Sequence, residues 1–279
     1  MYWENFIQQA LDEDIREGDH TSLSCIKQDA SARAQLRIKD TGILAGVELA
    51  QKIFYHLDPS MEMKVLINDG TFVQNGEVAF ELSGNARAIL TGERLALNCM
   101  QRMSGIATLT SKYVKRIEGF GAKVLDTRKT TPLFRTAEKW AVRIGGGHNH
   151  RFGLFDMILI KDNHIDYAGG IVNAIEATTT YLNQNNLSLI VEIEARSLDD
   201  VALILETGNV NRIMLDNFTL ENTQRAVAMI GRKIETEASG GVNLETVRSI
   251  AATGVDFISV GALTHSYNSL DLSLKAKLL

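Results

Sequence analysis

From about Thr110 onward, short apolar runs alternate with stretches whose apolar positions recur every three or four residues. This is the pattern of strands and helices alternating around a parallel sheet. The spacing predicts strands at AKVLD (122–126), MILIKD (157–162), LIVEIEA (189–195), RIMLD (212–216), KIETEA (233–238) and DFISVG (256–261). Between them TAEKWAVRI, GGIVNAIEATTTYL, SLDDVALILETG, TLENTQRAVAMI and NLETVRSIAATG read as helices, several opening on a Ser, Thr or Asn cap. The first hundred residues differ in kind. SARAQLRIKD (31–40) alternates apolar with polar positions, and MKVLIND and EVAFELSG read as further short strands. An antiparallel sheet with one solvated face is therefore expected there. GERLALNCMQRMSGIATLTSKYVKRI (92–117) predicts a helix linking the two parts, and the amphipathic tail LDLSLKAKLL is expected to return to the first.

The predicted parallel strands end in charged or hydroxyl residues: Asp126, Lys161, Glu192 and Glu194, Asp216, Glu237 and Ser239, and Ser259. In a closed or nearly closed β/α barrel the carboxyl ends of the strands converge on one mouth, where such folds do their chemistry. Glu192 and Glu194, two apart on one strand, share a face. Polar side chains inside a barrel are expected only near its open end, where water or ligand satisfies them.

Charge sharpens this picture. The chain of 279 residues has 45% hydrophobic residues and carries −5, yet 126–164 holds seven Lys or Arg against four acids, a local +3. A cationic cluster in an anionic protein points to a small, highly charged anion held in a pocket; nucleic acid would call for a broad basic face. The acidic, amphipathic start MYWENFIQQALDEDIREGD is unlike a signal peptide, and no apolar run is long enough for a transmembrane helix. Cys25 and Cys99 build neither a disulfide framework nor a CxxC metal motif, so a cytoplasmic location is expected.

Eight motifs, in order, complete the reading: EGDHTS, GERLALNCMQRMSGIAT, DTRKTTP, VRIGGGHNHRFGLFDMILIKDNHI, VEIEARSL, IMLDNF, EASGGV and DFISVGALTHS. Together they resemble the quinolinate phosphoribosyltransferase family, also called nicotinate-nucleotide pyrophosphorylase (carboxylating), over essentially the full length. The resemblance implies an α/β protein with an N-terminal α/β sandwich (1–109), a C-terminal incomplete β/α barrel of the type II phosphoribosyltransferase kind (110–265), and a tail (266–279) returning to the first domain. It implies a pentosyltransferase that moves phosphoribose from phosphoribosyl pyrophosphate (PRPP) to quinolinate. The products would be nicotinate mononucleotide, pyrophosphate and CO2, for NAD biosynthesis. A homodimer, with assembly to a hexamer left open, and Mg2+ accompanying PRPP are also implied.

By the same resemblance Arg102, Arg128, His150, Arg151 and Lys161 would grip the dicarboxylate, Arg102 reaching across the dimer interface. Guanidinium groups suit planar carboxylates because they offer paired hydrogen bonds. Lys129, Lys161, Glu194 and Asp216 would be catalytic, Glu194 and Asp216 also meeting magnesium partly through substrate and water. Lys129, Ser239, Gly240, Gly241, Ser259, Gly261 and Ala262 would hold PRPP phosphate. Glu192 is the other candidate for the role given to Glu194.

Several residues have plainer readings: Arg116 and Arg143 as solvated charges, Met100 and Met103 as core, and Gly145 to Gly147 as no P-loop, since no GK[ST] follows. One position departs from the family's pattern. Leu133 and Phe134 follow TTP where a glycine is usual, and an altered loop over the site is the expected consequence. The rivals are a paralogue tied to molybdate transport, expected to lack the counterpart of Arg102, a nicotinate phosphoribosyltransferase, and a non-catalytic barrel. Neither nucleic acid nor a membrane is an expected partner.

Overall fold

The computed structural model describes residues 2–276, which fall into two compact units. The first comprises 2–109, Thr136–Gly145 and the chain from Tyr267, and the second comprises Thr110–Arg135 and Gly146–Ser266.

In the first unit helices α1 (Tyr2–Ile15) and α2 (His20–Cys25) lead into strand β1 (Ser31–Ile38), followed by β2 (Gly42–Ile43), α3 (Val47–Leu57), β3 (Glu62–Val65), β4 (Phe72–Val73) and β5 (Val78–Asn85). Asp19 caps α2 by accepting the Ser22 N–H at 3.0 Å. The chain then enters α4 (Ala86–Arg116), which starts earlier than the apolar periodicity suggests because Asn85 Oδ1 accepts the Arg87 and Ala88 N–H groups at 2.9 and 3.1 Å. The last strand, β12 (Leu272–Ala276), pairs with β1, giving an antiparallel sheet in the order β12-β1-β5-β3, while β2 and β4 form a separate small ladder. Alternation along β1 buries Ala34, Leu36 and Ile38, and Leu36 lies opposite both Phe80 and Leu274. On that face Phe54 of α3 meets Phe80 edge-on, ring centroids 6.4 Å apart.

In the second unit β6 (Lys123–Leu125), β7 (Ile158–Ile160), β8 (Val191–Ala195), β9 (Arg212–Asp216), β10 (Glu235–Ser239) and β11 (Phe257–Ser259) form one parallel sheet in the order β6-β11-β10-β9-β8-β7. The earliest strand pairs with the latest, so the sheet wraps into an incomplete barrel whose outermost strands are β6 and β7. Helices α6 (Asp162–Ala168), α7 (Ile171–Gln184), α8 (Leu198–Thr207), α9 (Leu220–Ile230), α10 (Val247–Ala251) and α11 (Ala262–His265) connect the strands, and α6 to α9 pack as successive neighbours. Ser197 and Thr219 cap α8 and α9.

Between β6 and β7 the chain forms α5 (Arg135–Ile144), most of which groups with the first unit although it lies inside the second in sequence. Its Trp140 ring sits 5.5 Å from that of Trp3, and its buried Glu138 binds Arg102.

Strand register sorts the barrel's residues into two faces. One carries Leu159, Lys161, Glu192, Glu194, Arg212, Met214, Asp216, Glu235, Glu237, Ser239, Phe257 and Ser259. The other carries Ile160, Ile193, Ile213, Leu215 and Ile258, all buried. The apolar side supplies the packing, and the charged side encloses the barrel's interior.

Candidate active site at the barrel mouth

A cavity of about 860 Å³ opens within the second unit, lined by the carboxyl ends of the strands and the loops that follow them. Arg128, Lys129, His150, Arg151, Lys161, Glu194, Asp216, Ser239, Gly240, Gly241, Ser259, Gly261 and Ala262 all line it. Thr127, Leu159, Asp162, Met214, Asn217 and His265 line it too, without having been assigned a role from the sequence; His265 stood inside the motif DFISVGALTHS.

The cations are set for an anion. Arg128 and Arg151 share one wall, and burial, then the nearby Arg128, lowers the Arg151 pKa. Arg151 gives one N–H to the Met157 carbonyl at 3.2 Å, and the Arg128 and Lys129 side chains have no hydrogen bond or ion pair among the described residues. Two guanidinium groups held together without an intervening carboxylate are costly until an anion joins them.

Lys161 follows β7 and is the N-cap of α6, held there by its own N–H donating to His164 Nδ1 at 2.9 Å. Its ammonium group meets Glu194 Oε1 at 2.5 Å, and Glu194 Oε2 accepts the Asp162 N–H at 3.0 Å. Both Glu194 oxygens are thus engaged. Asp216 accepts from Asn217 through Oδ2 at 2.8 Å and keeps Oδ1 for a ligand. A hard cation that takes one or two protein carboxylates and completes its shell with substrate and water fits this donor set, with Asp216 the readier ligand.

Gly240, also in the lining, has φ +95° and lies so close to Asn217 that a Cβ there would clash with its Oδ1. Only glycine fits. Among the described residues the amides of Gly240, Gly241 and Val242 donate no backbone hydrogen bond, leaving donors for an anion.

Beneath the floor lies a buried polar network, where polar groups were expected only at the open end. Glu192 and Glu237 are fully buried and do not line the cavity, so of the pair on β8 only Glu194 faces it. Glu237 accepts from Ser259 Oγ at 2.5 Å and from Arg212 at 3.1 Å. Ser259 therefore gives its one hydroxyl proton to a carboxylate in this conformation while still lining the cavity. Arg212 also binds Glu235 and stacks on Phe257, 3.9 Å from the ring centroid.

His150 Nε2 lies 2.9 Å from Glu192 and 3.5 Å from Glu237, at ion-pair distance without hydrogen-bond alignment, while Nδ1 accepts the Arg151 N–H at 2.7 Å. Both ring nitrogens face protein groups. Burial works against a charged ring and the two carboxylates work for it, and taken alone these charges would raise its pKa. A second proton on Nδ1 would collide with the amide N–H, and that contact decides the state here: a neutral ring protonated on Nε2. Burial, then Glu237, pushes Glu192 up to about 7, while His150 and Ser259 lower Glu237 against its own burial. His150, Glu192 and Glu237 have the composition of a metal cluster, but with Nε2 protonated the ring offers no lone pair there, and Arg212 already pairs with Glu237.

The Thr131–Phe134 turn closes through Phe134 N–H to Thr131 O at 3.2 Å, with Pro132 second and Leu133 third at φ +62°. The third place of such a turn favours glycine. Leu133 adopts glycine's backbone conformation there, its side chain 86% exposed.

Arg102 is absent from the cavity lining. Within the first unit its Nε and Nη2 donate to Glu138 Oε1 at 2.8 and 2.5 Å, and its guanidinium lies over the Tyr267 ring at 5.0 Å.

An incomplete parallel β/α barrel with a cationic, glycine-walled cavity at its strand ends defines a barrel enzyme for small, multiply charged anions. Sequence models described as the N-terminal and C-terminal domains of quinolinate phosphoribosyl transferase match residues 19–104 and 106–275. The chain belongs to the quinolinate phosphoribosyltransferase family. It is 49% identical to the chloroplastic nicotinate-nucleotide pyrophosphorylase [carboxylating] of Arabidopsis thaliana, covering 96% of this chain and 81% of that one. It is 42% identical to the probable nicotinate-nucleotide pyrophosphorylase [carboxylating] of Bacillus subtilis, covering 95% and 90%. The crystal structure of NadC from Streptococcus pyogenes superposes with a TM-score of 0.93 at 37% identity, covering 99% and 96%.

Proposed function

We propose that this protein transfers phosphoribose from PRPP to quinolinate with decarboxylation, yielding nicotinate mononucleotide, pyrophosphate and CO2 in NAD biosynthesis. The observation that carries the reading is the pair Arg128 and Arg151 on one wall of a cavity that also holds Lys129 and Lys161. Two adjacent carboxylates on a planar ring match two guanidinium groups; a monocarboxylate would leave one unmatched.

PRPP would lie across the mouth, its 5′-phosphate against the free amides of Gly240 and Gly241, with Gly261 and Ala262 nearby. Lys129 and Lys161 would balance the pyrophosphate. Mg2+ would be held by Asp216 and, once Lys161 turns to substrate, by Glu194, and when bound it would supply charge compensation to the departing pyrophosphate.

Chemically, the C1′–oxygen bond loosens and its electrons leave with pyrophosphate while the pyridine nitrogen supplies the new bond. The ring is then cationic, so it can accept the electrons left when the C2 carboxylate departs as CO2, and a proton takes the vacated carbon. Positioning by the guanidinium groups contributes much of the acceleration.

The family resemblance favours donation of Arg102 by a second copy and hence a homodimer. Two free thiols, Cys25 and Cys99, suit a reducing compartment such as the cytoplasm, and no helix of the described residues is long and apolar enough to cross a membrane. The net charge of −5 and the gathering of Arg128, Lys129, Arg151 and Lys161 in one cavity favour small anions over nucleic acid.

The test is a magnesium-dependent assay of purified protein with PRPP and either quinolinate or nicotinate. Nicotinate mononucleotide from quinolinate alone is expected. Product from nicotinate alone, or from neither, would overturn the reading.

A further inference from the structure

We infer that Glu237 is a positioning residue for this reaction, acting from beneath the cavity floor through two side chains that line it, His150 and Ser259. The inference rests on the proposed function of the cavity but concerns a residue the cavity does not expose.

Glu237 stands in the middle of β10 with no exposed surface. One oxygen takes the Ser259 hydroxyl proton at 2.5 Å; the other accepts from Arg212 at 3.1 Å and faces His150 Nε2 at 3.5 Å. Ser259 is thereby held from below by a hydrogen bond, and the Nε2–H of His150 faces the carboxylate charge. Ser259 cannot rotate its hydroxyl toward a ligand without losing the carboxylate. His150 is held from two other sides as well, since Asp126 Oδ1 accepts its backbone N–H at 2.9 Å and the Arg151 N–H donates to Nδ1 at 2.7 Å. That second contact ties the ring to the peptide bearing the Arg151 guanidinium. If the ring turns, the Arg151 N–H loses its acceptor. Glu192, facing the same nitrogen, completes the clamp.

Stability alone gives little reason for such a network. Exchanging a buried ion pair for apolar side chains of similar volume is often neutral or stabilising, whereas removing one partner strands a charge. The neighbouring Ile213, Leu215 and Ile258 show that these strands carry apolar residues where packing is the purpose. A side chain displaced by about 1 Å at a reacting centre can cost about 10²-fold in rate, which gives a fixed His150–Arg151 arrangement its value.

The experiment has two arms. In the first, the nitrogen signals of His150 are assigned by NMR in the 15N-histidine-labelled parent protein, where the proton is expected on Nε2 with Nδ1 bare. A proton on Nδ1 instead would overturn the proposal before any variant is made. In the second, Glu237→Gln and the double variant Arg212→Met/Glu237→Gln, which removes both buried charges together, are compared with the parent by thermal melting, by the His150 nitrogen signals and by steady-state kinetics with quinolinate and PRPP. The expected result in a folded variant is a changed His150 nitrogen pattern together with a fall of about 10²-fold in kcat/KM for quinolinate. Full activity with altered signals, or lost activity with parental signals, would overturn it. The nitrogen signals need no substrate, so an inactive parent would count against the proposed function while leaving the clamp readable.

Discussion

The two sheets use the same alternation to opposite ends. In β1 of the first unit every second residue is apolar and buried, Ala34, Leu36 and Ile38, while its other face is partly solvated. In β8 of the second unit all five residues are buried, and the alternate ones are Glu192 and Glu194. A one-sided apolar sheet gains stability from its single packed face. The barrel takes its packing from the outward side, Ile193, Ile213 and Ile258, and fills its interior with charge. Stability therefore resides behind the barrel sheet, and chemistry in front of it.

This difference can be tested from both sides. Phe54→Ala in the first unit removes a fully buried ring and is expected to cost about 3–5 kcal/mol in urea denaturation. The KM for quinolinate of the protein that remains folded should stay parental. Lys161→Ala in the second unit should do the converse, lowering kcat by about 10²–10³-fold in steady-state kinetics with a smaller loss of urea midpoint than Phe54→Ala, because the ammonium group is half exposed although buried Glu194 loses its partner. Arg151→Ala is expected to raise the KM for quinolinate by about 10–100-fold, with the KM for PRPP little changed, since charge-assisted hydrogen bonds contribute about 1.5–3 kcal/mol each. The exposed Arg143 serves as its control. The smallest effect belongs to Leu133→Gly. Relief of the left-handed backbone, less glycine's greater entropy loss, should stabilise the protein by about 0.5–1 kcal/mol, read as a higher urea midpoint.

Much of the barrel was legible because it repeats. Each strand announced itself by an apolar run with a polar end, and register then brought Lys161, Glu194, Asp216 and Ser239 to one mouth. What escaped was long-range or hidden. The tail showed amphipathicity, but nothing local told that Leu272–Ala276 would become a strand beside β1, since that depends on a partner more than two hundred residues away. Nor did the pattern of TAEKWAVRI show that the helix groups with the first unit, a consequence of Glu138 meeting Arg102 and Trp140 meeting Trp3. Glu192, Arg212 and Glu237 were readable as charges on strands but not as partners of one another, because pairing across a barrel depends on strand order. That pairing is what lets them lie below the mouth without solvent. The departure at Leu133 was visible in sequence, yet only the turn around Pro132 shows its form: leucine in a glycine conformation.

The most direct measurement follows the carboxylate itself. Quinolinate labelled in its C2 carboxyl group is mixed with the protein and magnesium, with and without PRPP, and labelled CO2 is collected. Label should appear only with PRPP, in step with nicotinate mononucleotide, and should fall sharply in Arg151→Ala. Release without PRPP, or none under any condition, would contradict the assignment of this cavity to phosphoribosyl transfer followed by decarboxylation.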